Sequence, residues 1–126
     1  MIRWPGTVKP GTRFNELAAH NDWLPTLLAA AGVPDVKQKL LQGYQAGDQV
    51  YKVHLDGYDL TDYLSGKSAG SPRETFHYFT DDGDYSALRW GDWKIMYSVQ
   101  EATGQAVWQY PFTQLRMPYL FNLRQD

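Results

Sequence analysis

The chain has 126 residues, 43% of them hydrophobic and 21% charged, with a formal net charge of −2. That length bounds it to one domain, residues 1–126, or a piece of one, and the balance is that of an ordinary soluble globular chain. Scattered Lys and Arg argue against a nucleic-acid surface, no run reaches the roughly 18 apolar residues of a membrane span, and the absence of Cys removes disulfides, zinc–thiolate sites and thiol nucleophiles.

Aromatic residues make up 15% of the chain, as five Trp, nine Tyr and five Phe. Rings fill sheet faces because they favour strands, and exposed rings stack on sugars or bases. Met1 to Gly11 lack the apolar core of a secretory signal, so periplasm and cytoplasm both stay open.

Met1-Ile2-Arg3-Trp4 has strand character and runs into turns at Pro5-Gly6 and Pro10-Gly11. Residues 20–31 predict the main helix. Leu24, Leu27, Leu28 and Ala31 fall at i, i+3, i+4 and i+7, and Ala29 and Ala30 on the other side suggest burial on more than one side. Asn21 is the expected N-cap, with Asp22 on the positive end of the dipole. Pro25 sits in the first turn, Gly32 reads as the residue just past the end, and Pro34 blocks continuation. Residues 35–42 predict a short second helix capped by Asp35, with Val36, Leu40 and Leu41 as its apolar edge. Gly43 to Lys52 reads as an exposed loop or hairpin, and Tyr58 to Leu64 as a single helical turn with Leu60 and Leu64 pointing inward.

Three β-like runs follow in tandem, TFHYFT, DYSALRW and WKIMYSVQ, between Thr75 and Gln100. They are broken at Asp81-Asp82-Gly83 and Gly91-Asp92, where Gly supplies the positive φ of tight hairpins. Phe76, Tyr78 and Thr80 should share a face. Trp93, Ile95, Tyr97 and Val99 should share the core face of the third run, opposite Lys94, Met96 and Ser98. Residues 101–118 look irregular, and Tyr119 to Leu123 reads as a last short strand. The fold class is therefore α+β, a small antiparallel β-meander of about four strands packed on one main helix.

No residue stands out as catalytic, cofactor-binding or metal-ligating. His20, His54 and His77 have no metal-pair spacing, and HExxH is absent. His54 neighbours Asp56 and Asp59, which could make a loop metal site, but acidic loops of this density are usually solvated turns. Asp81, Asp82 and Asp84 miss the EF-hand spacing. The Ser residues form no G-x-S-x-G elbow, and no glycine loop cradles a phosphate. A glycosidase would need paired carboxylates, which spacing alone does not assign.

Five segments, in one order over nearly the whole chain, resemble the sulfatase family, bacterial arylsulfatases of the alkaline-phosphatase superfamily in particular. Met1-Ile2-Arg3-Trp4-Pro5-Gly6 is similar to an xIRWPG strand exit. His20 to Gly32 is similar to a DxxPTLLxxAG helix, and Leu55 to Gly66 to a DGxDLxxxLxG stretch. Ser86 to Lys94 is similar to an xAxRxGxWK hairpin, and Leu120-Phe121-Asn122-Leu123 to an ELYDL strand. The resemblance implies a C-terminal subdomain, with an α/β catalytic core domain carrying the chemistry of sulfate-ester hydrolysis. In the family a formylglycine made from Cys or Ser in C/S-x-P-S/A-R attacks sulfur, and calcium polarises the sulfate. This sequence has no Cys and no S-x-P-S/A-R run. No catalytic or metal residue carries over, so the chain is expected to be a fragment or truncated product, inactive alone and without cofactors of its own. Its expected partners are the missing core domain or further copies of itself, through an exposed apolar face, and neither nucleic acid nor membrane. Two other readings stay open, an aromatic-rich carbohydrate-binding module on Trp4, Trp23, Trp90, Trp93 and Trp108, and a self-associating interaction domain.

Overall fold

The computed structural model describes residues 1–125 and divides into two compact units, Met1–Arg73 and the remainder from Glu74. The class is α+β, with a four-stranded antiparallel sheet and few helices.

In the first unit, residues 1–18 contain no strand. The strand character of Met1 to Trp4 is unused, because a β-run needs a neighbour to pair its N–H and C=O groups and none lies beside it. Instead the N–H groups of Thr7 and Val8 donate to Trp4 O at 3.1 and 2.9 Å, closing a turn over Pro5-Gly6. A 3₁₀ turn, His20–Asp22, leads into α1, Trp23–Ala30. Asp22, not Asn21, holds the N-cap position of α1, and its carboxylate accepts from Ala19 N–H at 2.8 Å. Past the end, Gly32 takes φ +95° and Val33 N–H reaches back to Leu28 O at 2.8 Å. That bond satisfies a carbonyl the helix leaves orphaned.

The expected burial of α1 is reversed. The leucine stripe faces solvent, with Leu27 62% exposed and Leu24 exposed beside it, while Asp22, Pro25 and Thr26 are buried. The polar side is the inner one because it carries the hydrogen bonds that fasten α1 to the rest of the unit. Helix α2, Val36–Gln42, buries Val36 and leaves Leu41 exposed. The hairpin β1, Tyr44–Ala46, and β2, Gln49–Tyr51, turns at Gly47, whose φ is +61°. Helix α3, Thr61–Leu64, turns Leu60 and Leu64 into the core as expected.

The second unit is the meander, in the order β3-β4-β5-β6, with β3 Thr75–Phe79, β4 Tyr85–Trp90, β5 Trp93–Val99 and β6 Thr113–Asn122. Between β3 and β4 the turn is held by Thr80. Its N–H donates to Asp84 O at 2.9 Å, its Oγ1 accepts from Asp84 N–H at 3.1 Å, and its carbonyl accepts from Gly83 N–H at 3.0 Å. Register places Thr75, Trp90, Trp93 and Asn122 in one cross-strand row and His77, Leu88, Ile95 and Leu120 in another on the same face.

Two expectations about the sheet are corrected. The Trp93–Ile95 face of β5 is the open one, with Trp90 65% and Leu120 63% exposed, while Ala87 and Ser98 on the opposite face are buried. Apolarity alone misassigned the core face because the residues buried on the other side, Ala87 and Ser98, are small and carry little hydrophobic signal. The last strand is also longer than expected, beginning at Thr113 and passing through Pro118. The β6 register slips against β5 between the pairs Ser98–Gln114 and Met96–Tyr119. Pro118 lies in that slipped stretch of an edge strand, where its missing N–H breaks no ladder bond. Within the stretch expected to be irregular, Gly104–Trp108 forms a 3₁₀ turn.

Candidate functional site

The densest polar cluster is built around the carboxylate of Asp22, which has no exposed surface. It accepts hydrogen bonds from Ala19 N–H at 2.8 Å, Tyr58 N–H at 2.8 Å, Arg73 Nε at 2.8 Å and Arg73 Nη2 at 2.5 Å. Arg73 Nη2 also donates to Asn21 Oδ1 at 3.2 Å and to Asp56 O at 3.1 Å. Two cations approach the Tyr58 ring, Arg73 Cζ at 4.8 Å and Lys37 Nζ at 4.8 Å from its centroid. Lys37 Nζ reaches Gly57 O at 2.7 Å. Burial pushes the Asp22 carboxyl up, but the Arg73 guanidinium and the N–H groups of Tyr58 and Ala19 outweigh it and hold the group below its usual value.

A second lock lies one turn along α1. Thr26 Oγ1 donates to Asp22 O at 2.6 Å and accepts from Leu60 N–H at 3.0 Å, both buried. Backbone approach is close here: a Cβ on Gly57 would stand 2.0 Å from Asn21 O. Glycine is needed for that contact, not for a left-handed φ. Asp22 therefore does architectural work. Its lone pairs are filled and water is excluded, so it can neither take a substrate proton nor hold a cation.

Beside this clamp is an open cleft of about 930 Å³, walled by Trp4, Phe14, Trp23, Leu60, Tyr63 and Leu64 among others. Phe14 packs edge-on against Tyr63 at 5.2 Å, and Tyr63 Oη accepts from Glu16 N–H at 3.1 Å, which pins the N-terminal segment as the cleft's outer wall.

Of the sequence candidates, His20 and His54 belong to the first unit. In the second, His77 sits on the open sheet face with Nδ1 3.0 Å from Tyr85 Oη. Burial raises the Tyr85 phenol's pKa, and Tyr97 adds to the shift. His54 Nδ1 meets Asp56 Oδ1 at 3.1 Å in an exposed pair. Asp59 Oδ1 is occupied by Thr61 N–H at 2.9 Å and by the Thr61 hydroxyl, just ahead of α3. Among the described residues no three or more His, Asp or Glu stand grouped so as to hold a metal ion. No helix of the described residues is long and apolar enough to cross a membrane.

Sequence reasoning missed Arg73, the partner that makes Asp22 a core residue. It lies 51 residues further along, in a Ser/Gly-rich linker with no local pattern to mark it. The one available signal is indirect: an Asp on a helix start whose neighbours Pro25 and Thr26 are small enough to be packed over.

No family model matches the chain. It is 34% identical over 101 residues to arylsulfatase A of Homo sapiens, covering 77% of this chain and 17% of that protein. It is 31% identical over 134 residues to arylsulfatase A of Bos taurus, covering 98% and 23%. To the steryl-sulfatase of Homo sapiens it is 30% identical over 91 residues, covering 71% and 13%. Among solved structures it is similar to the PsFucS1 sulfatase from Pseudoalteromonas sp., with a TM-score of 0.75 and 26% identity, over 98% of this chain and 23% of that one. The chain thus has homologues in the sulfatase family and spans less than a quarter of their length. Two of the five stretches that resemble the family, His20 to Gly32 and Leu55 to Gly66, meet in the Asp22 and Thr26 locks.

Proposed function

We propose that the chain serves as the C-terminal subdomain of a sulfuric ester hydrolase of the arylsulfatase type. One observation carries this reading: nearly the whole chain aligns with a sulfatase segment in both sequence and structure, yet that segment is 23% of the relative. The interior supports it, since the motif residues bind one another and make no reactive centre. In this reading the formylglycine nucleophile and its calcium belong to a core domain, and the subdomain supplies a rigid wall. The leucine stripe of α1 and the cleft behind Trp4 are the surfaces that dock on that core, because an aliphatic helix face and an aromatic cleft are stabilised by losing water. Held apart from the core, the chain self-associates through the same surfaces.

The chain alone is expected to release no phenol from 4-nitrophenyl sulfate, with or without added calcium. Sustained, calcium-dependent release abolished by a chelator would overturn the reading. A second measurement addresses association: the mass by sedimentation should rise with concentration, whereas a monomer at every concentration would contradict exposed docking surfaces.

A further inference from the structure

The hairpin β1–β2 is a sheet of two strands, and such a pair is marginally stable in water by itself. Its turn is the two residues Gly47-Asp48, so the flanking pair Ala46–Gln49 is the hydrogen-bonded one that closes it. Alternation makes the next pair, Gln45–Val50, non-hydrogen-bonded, with the N–H and C=O of Val50 turned away from β1. All of β2 is exposed, Val50 at 66%. The outer edge of β2 is thus an open row of backbone donors and acceptors. Proteins commonly blunt such an edge with Pro, a bulge or charge. From Asp48 to Lys52 there is no Pro, and the β1–β2 register runs without a bulge.

The charges that remain are placed to match their own copies. Antiparallel pairing of β2 with the β2 of a second chain about Val50 sets Val50 against Val50, Gln49 against Tyr51, and Asp48 against Lys52. The ladder then carries an opposite-charge pair at each end, and the two are equivalent by two-fold symmetry. Asp48, Val50 and Lys52 alternate with Gln49 and Tyr51, so the charged pairs flank the valines on one face. On the other face Tyr51 Oη donates to Gln49 Oε1 at 2.9 Å, which lays the ring along the strand. No other register does as well. A slip of one residue sets the outward backbone groups of Val50 against residues whose groups point into β1, and a slip of two sets Val50 against Asp48 or Lys52 and loses both charge pairs. Strand β1 has no equivalent edge, because Gly43 at φ +106° and Gly47 at φ +61° interrupt extended backbone at both of its ends.

We propose that the outer edge of β2 pairs with the same edge of a second copy of this chain, joining two hairpins into one antiparallel sheet in the order β1-β2-β2-β1 with the two-fold axis at Val50. The contact uses neither the leucine stripe of α1 nor the cleft behind Trp4, so it stands apart from docking on a core domain.

The test is charge exchange in the full chain carrying Leu27→Ser, which lowers association through α1. In that background the dimer constant is measured by sedimentation. Asp48→Lys or Lys52→Asp alone sets like charges against each other at both ends of the ladder, and each should weaken the dimer about tenfold or more. The two together restore opposite charges and should bring the constant back to within about twofold of the starting chain. Hydrogen exchange reads the contact itself: the Val50 amide should slow as concentration rises in the starting chain and in the double exchange, and stay fast in either single variant at the same concentrations. A starting chain that is monomeric at every concentration would overturn the proposal. So would single variants that associate as well as the starting chain, a double exchange that recovers nothing, or Val50 exchange that ignores concentration.

Discussion

Replacing Arg73 with Met is the sharpest perturbation of the first unit. Methionine refills much of the volume but removes two of the four hydrogen bonds at Asp22, the 2.8 Å and 2.5 Å contacts from Nε and Nη2. The carboxylate stays fully buried, with the N–H groups of Ala19 and Tyr58 as its remaining donors. Each charge-assisted bond is worth about 1.5–3 kcal/mol, and a buried pair broken on one side costs about 3–5 kcal/mol. A domain of ordinary stability has about 5–15 kcal/mol in all, so the variant should lose about a fifth of it or more. Urea denaturation gives the loss, and hydrogen exchange at Tyr58 N–H, which bonds Asp22 Oδ1, places it. The pH dependence fixes the sign. In the native chain the Asp22 pKa is depressed below 3.8, so its contribution is full above that value and is lost as pH falls through the lower folded value. In Arg73→Met the guanidinium no longer offsets the burial that raises this pKa, so the variant's folded value lies above the parent's, and the gap between variant and parent narrows as the pH falls through that range. A loss under about 1 kcal/mol at pH 7, or a gap that widens in acid, would refute the reasoning.

Other substitutions probe single contacts. Thr26→Val leaves the buried Leu60 N–H without its acceptor and should cost about 1–3 kcal/mol in the same denaturation assay. Gly57→Ala forces a Cβ to within 2.0 Å of Asn21 O, so the chain should lose at least about 2 kcal/mol, and a neutral result would deny the close approach. Ser98→Ala removes a hydroxyl that is buried with no hydrogen-bond partner, and should leave the melting temperature unchanged or higher. Leu27→Ser on the exposed stripe of α1 should leave unfolding free energy within about 0.5 kcal/mol while reducing self-association by sedimentation.

Local patterns in the sequence made the elements legible and left the tertiary partners hidden. Gly83, Gly91 and the apolar runs beside them predict β3 to β5 because a hairpin needs both a permissive turn and pairable flanks. Gly32 and Pro34 likewise mark the end of α1. Burial was a different matter. Leu24 and Leu27 read as core by periodicity, but periodicity reports that a face is apolar and not what lies opposite it. The same holds for Trp93, Ile95 and Leu120 on the open side of the sheet. Arg73 and Ser98 were invisible, since a buried polar residue is chosen by a contact distant in sequence. The strand over Pro118 escaped notice because proline argues against a strand, except at an edge where no N–H is needed. As for the candidate site, Trp4, Phe14, Trp23 and Tyr63 could be counted in the sequence. The Glu16 N–H to Tyr63 Oη bond that holds the cleft's outer wall could not.

The most direct test of the central claim is complementation. A sulfatase core domain that carries the C/S-x-P-S/A-R motif but lacks its own homologous C-terminal segment would be titrated with this chain. Binding would be followed by sedimentation and hydrolysis by release of 4-nitrophenol. A one-to-one complex that gains sulfate-ester hydrolysis, while neither component turns over alone, is the predicted result. Catalysis by the chain without the core, or no complex at any concentration, would contradict it.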